Sequence, residues 1–303
     1  MKTIIVVGVL DVKGSTNISI AKSFTKFGYS VIPINYRTII GKYGMDQFEQ
    51  LLFKTIVKYS PKIVLFCKTN GINPNVIKRC GDFTTTLYWF MDPIETAKLC
   101  GAADLAKNAN FVACTGGGVV DWMVENGVEN CYRIFEGIDH DIFKPVTAIP
   151  DFKADISFIG TKTAERDKFI IELQSAGYDV KAYGNGYGGE VVNKAFAQVC
   201  ASSKMMLSIN TFSTIPDYCS DRLFRCMSCG VCTIHYDPTR TMHKYVEDGK
   251  EVVLFESIDE MMDKVQGLSD EDIANIAIFG REKILKNYTW DHTVNSMLKL
   301  IGK

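Results

Sequence analysis

Short runs of β-branched and other apolar residues alternate with longer stretches in which apolar side chains recur every three or four positions. Runs such as IIVVGVL (4–10) and KIVLF (62–66) are strand-length, and the alternation predicts a parallel α/β architecture. In the first half, strands are expected near 3–9, 31–35, 62–66, 85–90, 110–114 and 131–135, with helices near 15–28, 46–59, 93–107 and 118–126. GIDHDIFKPVTAIPDFKAD (137–155) carries two prolines and little periodicity, and reads as a connector. A second series follows, with strands near 156–160, 179–183, 205–209, 231–235 and 252–255 and helices near 164–176, 190–201, 219–229 and 240–247. Residues 258–302 are helical in pattern, with breaks near Ser269 and Tyr288. Two such series imply two Rossmann-like domains facing across a cleft, with ligands outside the carboxyl ends of the strands.

Composition narrows the class. At 303 residues the chain suits two domains, each of about 150 residues. A net charge of −1 sets no global demand for nucleic acid or membrane. No apolar run approaches the roughly 20 residues that span a bilayer, and MKTIIVVGVLDVKGS reads as a first strand rather than a signal peptide. The ten cysteines, several inside apolar runs, read as reduced thiols of a cytoplasmic protein. Cys226, Cys229 and Cys232 fall on one helix and the next strand, a placement that suits buried thiols better than a zinc site or a disulfide. Between Glu49 and Asp82 stand six basic residues (Lys54, Lys58, Lys62, Lys68, Lys78, Arg79) and no acid. A solvated helix face is the commoner reading, and a patch for an anionic ligand is the other.

Candidate chemistry gathers at the predicted strand ends. GVLDVKGSTN (8–17) brings Gly14, Ser15, Thr16 and Asn17 to a helix start, where a capped turn and a binding loop are equal readings. FIGTKTAER (158–166) supplies Gly160, Thr161, Lys162 and Arg166, a glycine turn with two cations that suits a diphosphate. In YGNGYGGE (183–190), Tyr183, Gly184, Asn185 and Gly186 end a strand in a loop whose backbone can approach a ligand, or simply turn. Asn210, Thr211 and Ser213 follow the next strand. Asp92 closes LYWFMD and Asp11 follows the first strand; each is a candidate base, and Asp92 is equally a candidate helix cap.

SDRLFRCMSCGVCTIHYDPTRTMHKYVEDGKEVVLFESIDEMMDKV (220–265) resembles the donor-binding domain of GT-B glycosyltransferases, nearest the group-1-like branch that includes the spore-maturation (CgeB-like) proteins. There the segment looks like N-D-R-x-F-E-A-x-A-C-G, then E-D-G-K-E and a strand. GIDHDIFKP (137–145), DISFIGTKTAERDKFIIEL (155–173) and REKILKNYTWDHTVNSML (281–298) resemble that family's connector, first nucleotide-domain elements and closing helices. The resemblance covers about 137–300; the first half shares only the layout.

What the resemblance implies is an acceptor domain over 1–145, a nucleotide-sugar domain over 146–285 and a closing helix over 286–303 that crosses back to the first domain. It implies transfer from a nucleotide diphosphate sugar, UDP-sugar foremost, to a glycan or other hydroxyl acceptor, with neither metal nor cofactor. A hydroxymethylated DNA base is a less favoured acceptor, unsupported by net charge. In this glycosyl-transfer reading a patch over the basic run would take an anionic acceptor. Lys162, Arg166 and Arg222 would hold the diphosphate. Two glutamates that the family often places eight positions apart fall here at Asp217 and Arg225, the second a charge reversal. That reversal leaves open a non-catalytic nucleotide-sugar binder or a GT-B-shaped epimerase.

Overall fold

The computed structural model describes residues 2–116 and 118–302, which divide into two compact units. One runs to Gly137 and takes back the chain from Trp290 onward; the other is Ile138–Thr289.

In the first unit the elements are β1 (Lys2–Gly8), α1 (Thr16–Lys26), β2 (Tyr29–Asn35), α2 (Tyr36–Tyr43), α3 (Met45–Tyr59), β3 (Ile63–Cys67), α4 (Pro74–Gly81) and β4 (Thr85–Phe90). Then come α5 (Ile94–Leu99), α6 (Ala102–Ala106), β5 (Phe111–Cys114), α7 (Val119–Glu125) and β6 (Cys131–Arg133). All six strands are parallel, in the order β2-β1-β3-β4-β5-β6. Helices cover both faces, so Ile4, Ile5, Val6 and Val7 are all fully buried and β1 reads as a continuous apolar run rather than an alternating one. Chain order reverses between β1 and β3, which places the crevice for a ligand at their carboxyl ends.

The second unit holds β7 (Ala154–Ile159), α8 (Ala164–Ser175), β8 (Val180–Tyr183), α9 (Lys194–Ser202), β9 (Ser203–Ser208), α10 (Asp221–Ser228), β10 (Cys232–Tyr236), β11 (Val253–Phe255), α11 (Ile258–Gly267) and α12 (Asp270–Asn287). Its five parallel strands lie in the order β11-β10-β9-β7-β8, so the same reversal falls between β7 and β9. The last helix, α13 (Trp290–Ile301), returns to the first unit, where Trp290, Val294, Met297 and Leu300 pack with Trp89 and Ile4. The rings of Trp89 and Trp290 lie 5.4 Å apart, and Asp291 accepts from Ser23 Oγ at 2.7 Å and pairs with Lys26 at 3.2 Å.

Some expectations shift. The helix read over 93–107 breaks into α5 and α6, because Gly101 takes a left-handed φ of 63°. The helix read over 240–247 contracts to one 3₁₀ turn, Met242–Lys244. α2 and α4 have no counterpart in the sequence reading: each spans eight residues, too few for a helical period to stand out. For α4 the signals were nonetheless present, since Pro74 opens the helix and Asn73 Oδ1 caps it by accepting from Asn75 N at 3.0 Å.

Candidate functional site

At the carboxyl edge of the second unit, two arginines close the switch point. Arg166, on the first turn of α8, is 1% exposed. It donates through Nη1 to Thr161 O at 2.6 Å, and through Nη2 to Ile209 O and Thr211 Oγ1, each at 3.0 Å. Arg222, on α10, donates through Nε to Ile159 O and through Nη1 to Ile209 O at 2.6 Å. Both guanidinium carbons lie 5.3 Å from the Phe158 ring. The two cations thus cap the last carbonyls of β7 and β9, and among the described residues neither forms an ion pair. Burial, and then the charge of Arg222, pulls Arg166 down to about 10; burial also lowers Arg222. Two positive charges are held side by side by carbonyl oxygens at the carboxyl ends of β7 and β9.

Around them lie the glycine loops. Gly160 N donates to Tyr183 O at 2.8 Å and Lys162 N to Asn185 O at 2.8 Å, so the loops after β7 and β8 interlock. A Cβ on Gly184 (φ 119°) would strike Gly160 O, and one on Gly186 (φ 84°) would stand 2.7 Å from Lys162 Cβ. These glycines pack the loop after β8 against the loop after β7. Thr163 caps α8 by accepting from Arg166 N at 3.3 Å, and Thr161 and Lys162 are exposed at its N-terminal end. Lys162 reaches Asp167 at 3.4 Å and lies 5.4 Å from the Tyr187 ring. Tyr183 packs edge-on to Phe152 at 5.6 Å.

Asn210 spends its side chain on the backbone, with Oδ1 accepting from Ser220 N and Nδ2 donating to Tyr218 O, both at 3.0 Å. It shapes the approach to α10 and is not poised toward a ligand. Asp217, held at φ 57°, accepts from Lys244 Nζ at 3.1 Å and Tyr245 OH at 3.0 Å. Arg225 pairs with Asp221 one turn earlier, and its guanidinium lies 4.7 Å from the Phe143 ring. The charge reversal is therefore answered within α10 itself. Cys226, Cys229 and Cys232 are buried free thiols. Among the described residues, no three or more His, Cys, Asp or Glu side chains gather in a way that could hold a metal ion.

At the carboxyl edge of the first unit, Ser15 caps α1: Oγ accepts from Asn17 N at 3.3 Å and donates to Val9 O. Thr16 opens that helix, and Gly14 turns the exposed loop before it with φ 88°. Asn17 Oδ1 is buried beside Gly8 without a partner, as are Thr69 Oγ1 and Asn70 Oδ1 just beyond β3. Asp92 ion-pairs with Lys68, which adopts φ 60° at the end of β3. Burial lowers the Lys68 ammonium from its usual range. Pro93, not Asp92, stands at the cap position of α5, so the helix-cap reading of Asp92 does not hold. Asp11 is exposed and accepts from Thr38 Oγ1.

The basic run does not form one patch. Lys62 precedes β3 and Lys68 follows it, so the strand separates them. Lys68 entered the sequence reading only as a member of the basic run, and Lys244 did not enter it. Lys68 carried a signal, since it directly follows a strand; Lys244 carried none, because only the fold brings it to Asp217.

Residues 161–299 match a family model described as glycosyl transferase-like. Among solved structures, the chain is similar to a sucrose-phosphate synthase from Thermosynechococcus elongatus, at 10% identity and TM-score 0.72, covering 99% of this chain and 98% of that one. It is also similar to a glycosyltransferase from Rickettsia africae, at 12% identity and TM-score 0.67, covering 99% and 97%. A third is the pneumococcal O-GlcNAc transferase GtfA in complex with UDP and GlcNAc, at 11% identity and TM-score 0.57, covering 86% of this chain and 60% of that one. No curated protein matches the chain in sequence. The fold is that of GT-B glycosyltransferases.

Proposed function

We propose that this GT-B chain is a glycosyltransferase that moves a sugar from a nucleotide diphosphate sugar to a hydroxyl acceptor. The observation that carries the reading is the convergence of Arg166 and Arg222 on the ends of β7 and β9, beside the N-terminus of α8. A leaving diphosphate develops charge as the anomeric carbon–oxygen bond breaks, and fixed cations with a helix N-terminus stabilise that charge without reorganising. In this reading Gly160, Thr161 and Lys162 present backbone and ammonium to the phosphates, and those groups do the work that a metal ion would otherwise do. Asp217 with Lys244 borders the donor's ribose or sugar. The family-model match spans these residues from Thr161 to Lys244, and the motifs within it favour the group-1-like, CgeB-like branch with a UDP-sugar donor.

The acceptor falls to the first unit, where Asn17, Thr69 and Asn70 leave buried oxygens without partners at the switch point. Oxygens of that kind suit hydroxyl donors, as on a glycan. In an inverting transfer the acceptor hydroxyl gives its proton to Asp92, the oxygen attacks the anomeric carbon and the nucleoside diphosphate leaves. Lys68 is then a positioning residue that holds the Asp92 carboxylate at the strand ends. Arg225, which motivated the non-catalytic alternative, is engaged by Asp221.

The test is release of UDP from UDP-glucose, UDP-galactose and UDP-GlcNAc, each with and without a panel of glycan acceptors. Acceptor-dependent release that Asp92→Asn abolishes while UDP affinity is retained supports the reading. Binding of UDP-sugars with no turnover on any acceptor would instead favour the binding module.

A further inference from the structure

α3 is amphipathic toward the sheet yet carries a second ordered stripe on its outer side. Phe48, Leu52, Thr55 and Ile56 are buried. Opposite them Asp46, Gln50, Phe53 and Val57 recur at spacings of four, three and four, the period of a helix–helix seam. These residues line a groove of about 670 Å³, closed on one side by Arg79 of α4. The groove is apolar in its middle. The Arg79 guanidinium lies 4.2 Å from the Phe53 ring, and Phe83 meets that ring edge-on at 6.3 Å. Val57 is 71% exposed and Phe83 63% exposed. Exposed apolar side chains gathered in one patch mark a surface that associates.

The charges on the stripe are ordered. Asp46 and Glu49 occupy its N-terminal half, Lys54 and Lys58 its C-terminal half. An acidic end and a basic end on one rod complement each other when the second rod runs antiparallel. An anionic surface would meet Asp46 along with the lysines, Glu49 being paired with Arg79 at 3.0 Å. The same topology removes these lysines from the ligand edge of the unit: in a parallel sheet a connecting helix runs back to the amino ends of the strands, and Lys58 lies in the last turn of α3 before β3.

We propose that two copies of this chain associate through α3, packed antiparallel about a two-fold axis, with Asp46 of each copy opposite Lys58 of the other. Phe53 and Val57 of both copies share the groove, and the contact is isologous. One helix pair covers less than a standard interface, so the dimer is weak, with a dissociation constant on the order of micromolar.

Sedimentation velocity of the full chain between about 1 and 100 μM tests this, because that range brackets a micromolar constant. The unaltered protein is expected to shift from monomer to dimer as concentration rises. Asp46→Lys and Lys58→Asp are each expected to remain monomeric and folded, with thermal unfolding lowered only by the small amount that reversing a helix-end charge costs. An equimolar mixture of the two variants is expected to recover the dimer, because both inter-copy pairs then become opposite in charge; the double variant should recover it too. A protein monomeric throughout that range overturns the proposal, as does a dimer indifferent to both single changes, or a mixture that stays monomeric. A monomer that binds phosphatidylglycerol vesicles, and loses them with Lys58→Asp, assigns the stripe to an anionic surface and overturns the proposal as well.

Discussion

Arg166 and Arg222 hold the strand ends together, and the proposed function asks the same guanidinium groups to meet a diphosphate as well. Each closes strand-end carbonyls, and each leaves its charge at the switch point. Arg222→Ala is therefore expected to weaken UDP more than uridine by about 10- to 100-fold, since a charge-assisted contact to phosphate is worth roughly 1.5–3 kcal/mol. Calorimetric titration with both ligands checks this; equal losses would confine Arg222 to holding the strand ends. His235 on β10 gives a second residue-scale expectation. It is fully buried, with Nδ1 3.0 Å from Ser208 Oγ and Nε2 without a partner. Burial holds its imidazole down to about 4; Asp237 opposes that pull and Arg222 adds to it. The neutral ring is the folded form, so its contribution is complete above the unfolded value of about 6.5. It is lost as pH falls from there toward 4, by about 3 kcal/mol at the limit. Urea midpoints measured from pH 7.5 to 4.5 should fall in that window, and His235→Asn should flatten the fall.

At the scale of elements, the donor edge depends on two loops that lock each other. Gly184 sits where its neighbour's carbonyl leaves no space, in a conformation that L side chains rarely adopt. Gly184→Ala should cost more than about 1 kcal/mol of stability, from strained φ and the clash together. It should also weaken UDP-sugar binding by moving Gly160 and Thr161. Equilibrium denaturation and a binding titration measure the two effects separately. Gly189, at φ 94° with nothing near its missing Cβ, is the control: Gly189→Ala carries the φ strain without the collision and should cost less.

For the molecule as a whole, the return of α13 means that the first unit is not complete in sequence until the chain ends. Trp290, Val294, Met297 and Leu300 fill one face of its core. Trp290→Ala is expected to cost about 3–5 kcal/mol, the range for deleting a large buried aromatic. The loss belongs to the first unit. Calorimetric scans should show one transition falling while the transition that UDP raises keeps its shift, because the residues proposed to hold the donor all lie within Ile138–Thr289. Loss of both transitions together would show that the units unfold as one.

Much of this was legible in the sequence because it is local. Apolar runs and their spacing determined the two series of strands, the helices at 164–175, 258–267 and 270–287, and the breaks at Ser269 and Tyr288. The residues at strand ends followed from topology alone, so the loops at Gly160, Gly184 and Asn210 were identifiable as lying at the carboxyl edge of the sheet. Their roles were not. Asn210 bonds nearby backbone, Gly184 abuts Gly160 O, Gly186 abuts the Lys162 side chain, and Asp92 is held by Lys68, 24 positions earlier in the chain. Arg166 meets Ile209 across 43 positions, and Lys244 meets Asp217 across 27. A side chain's partner depends on which strands lie side by side, and no local period encodes that. Arg225 shows the boundary between the two. Its partner is one helical turn away and was within reach of a sequence reading; whether it faces Asp221 or a ligand was decided by the packing of α10 against Phe143.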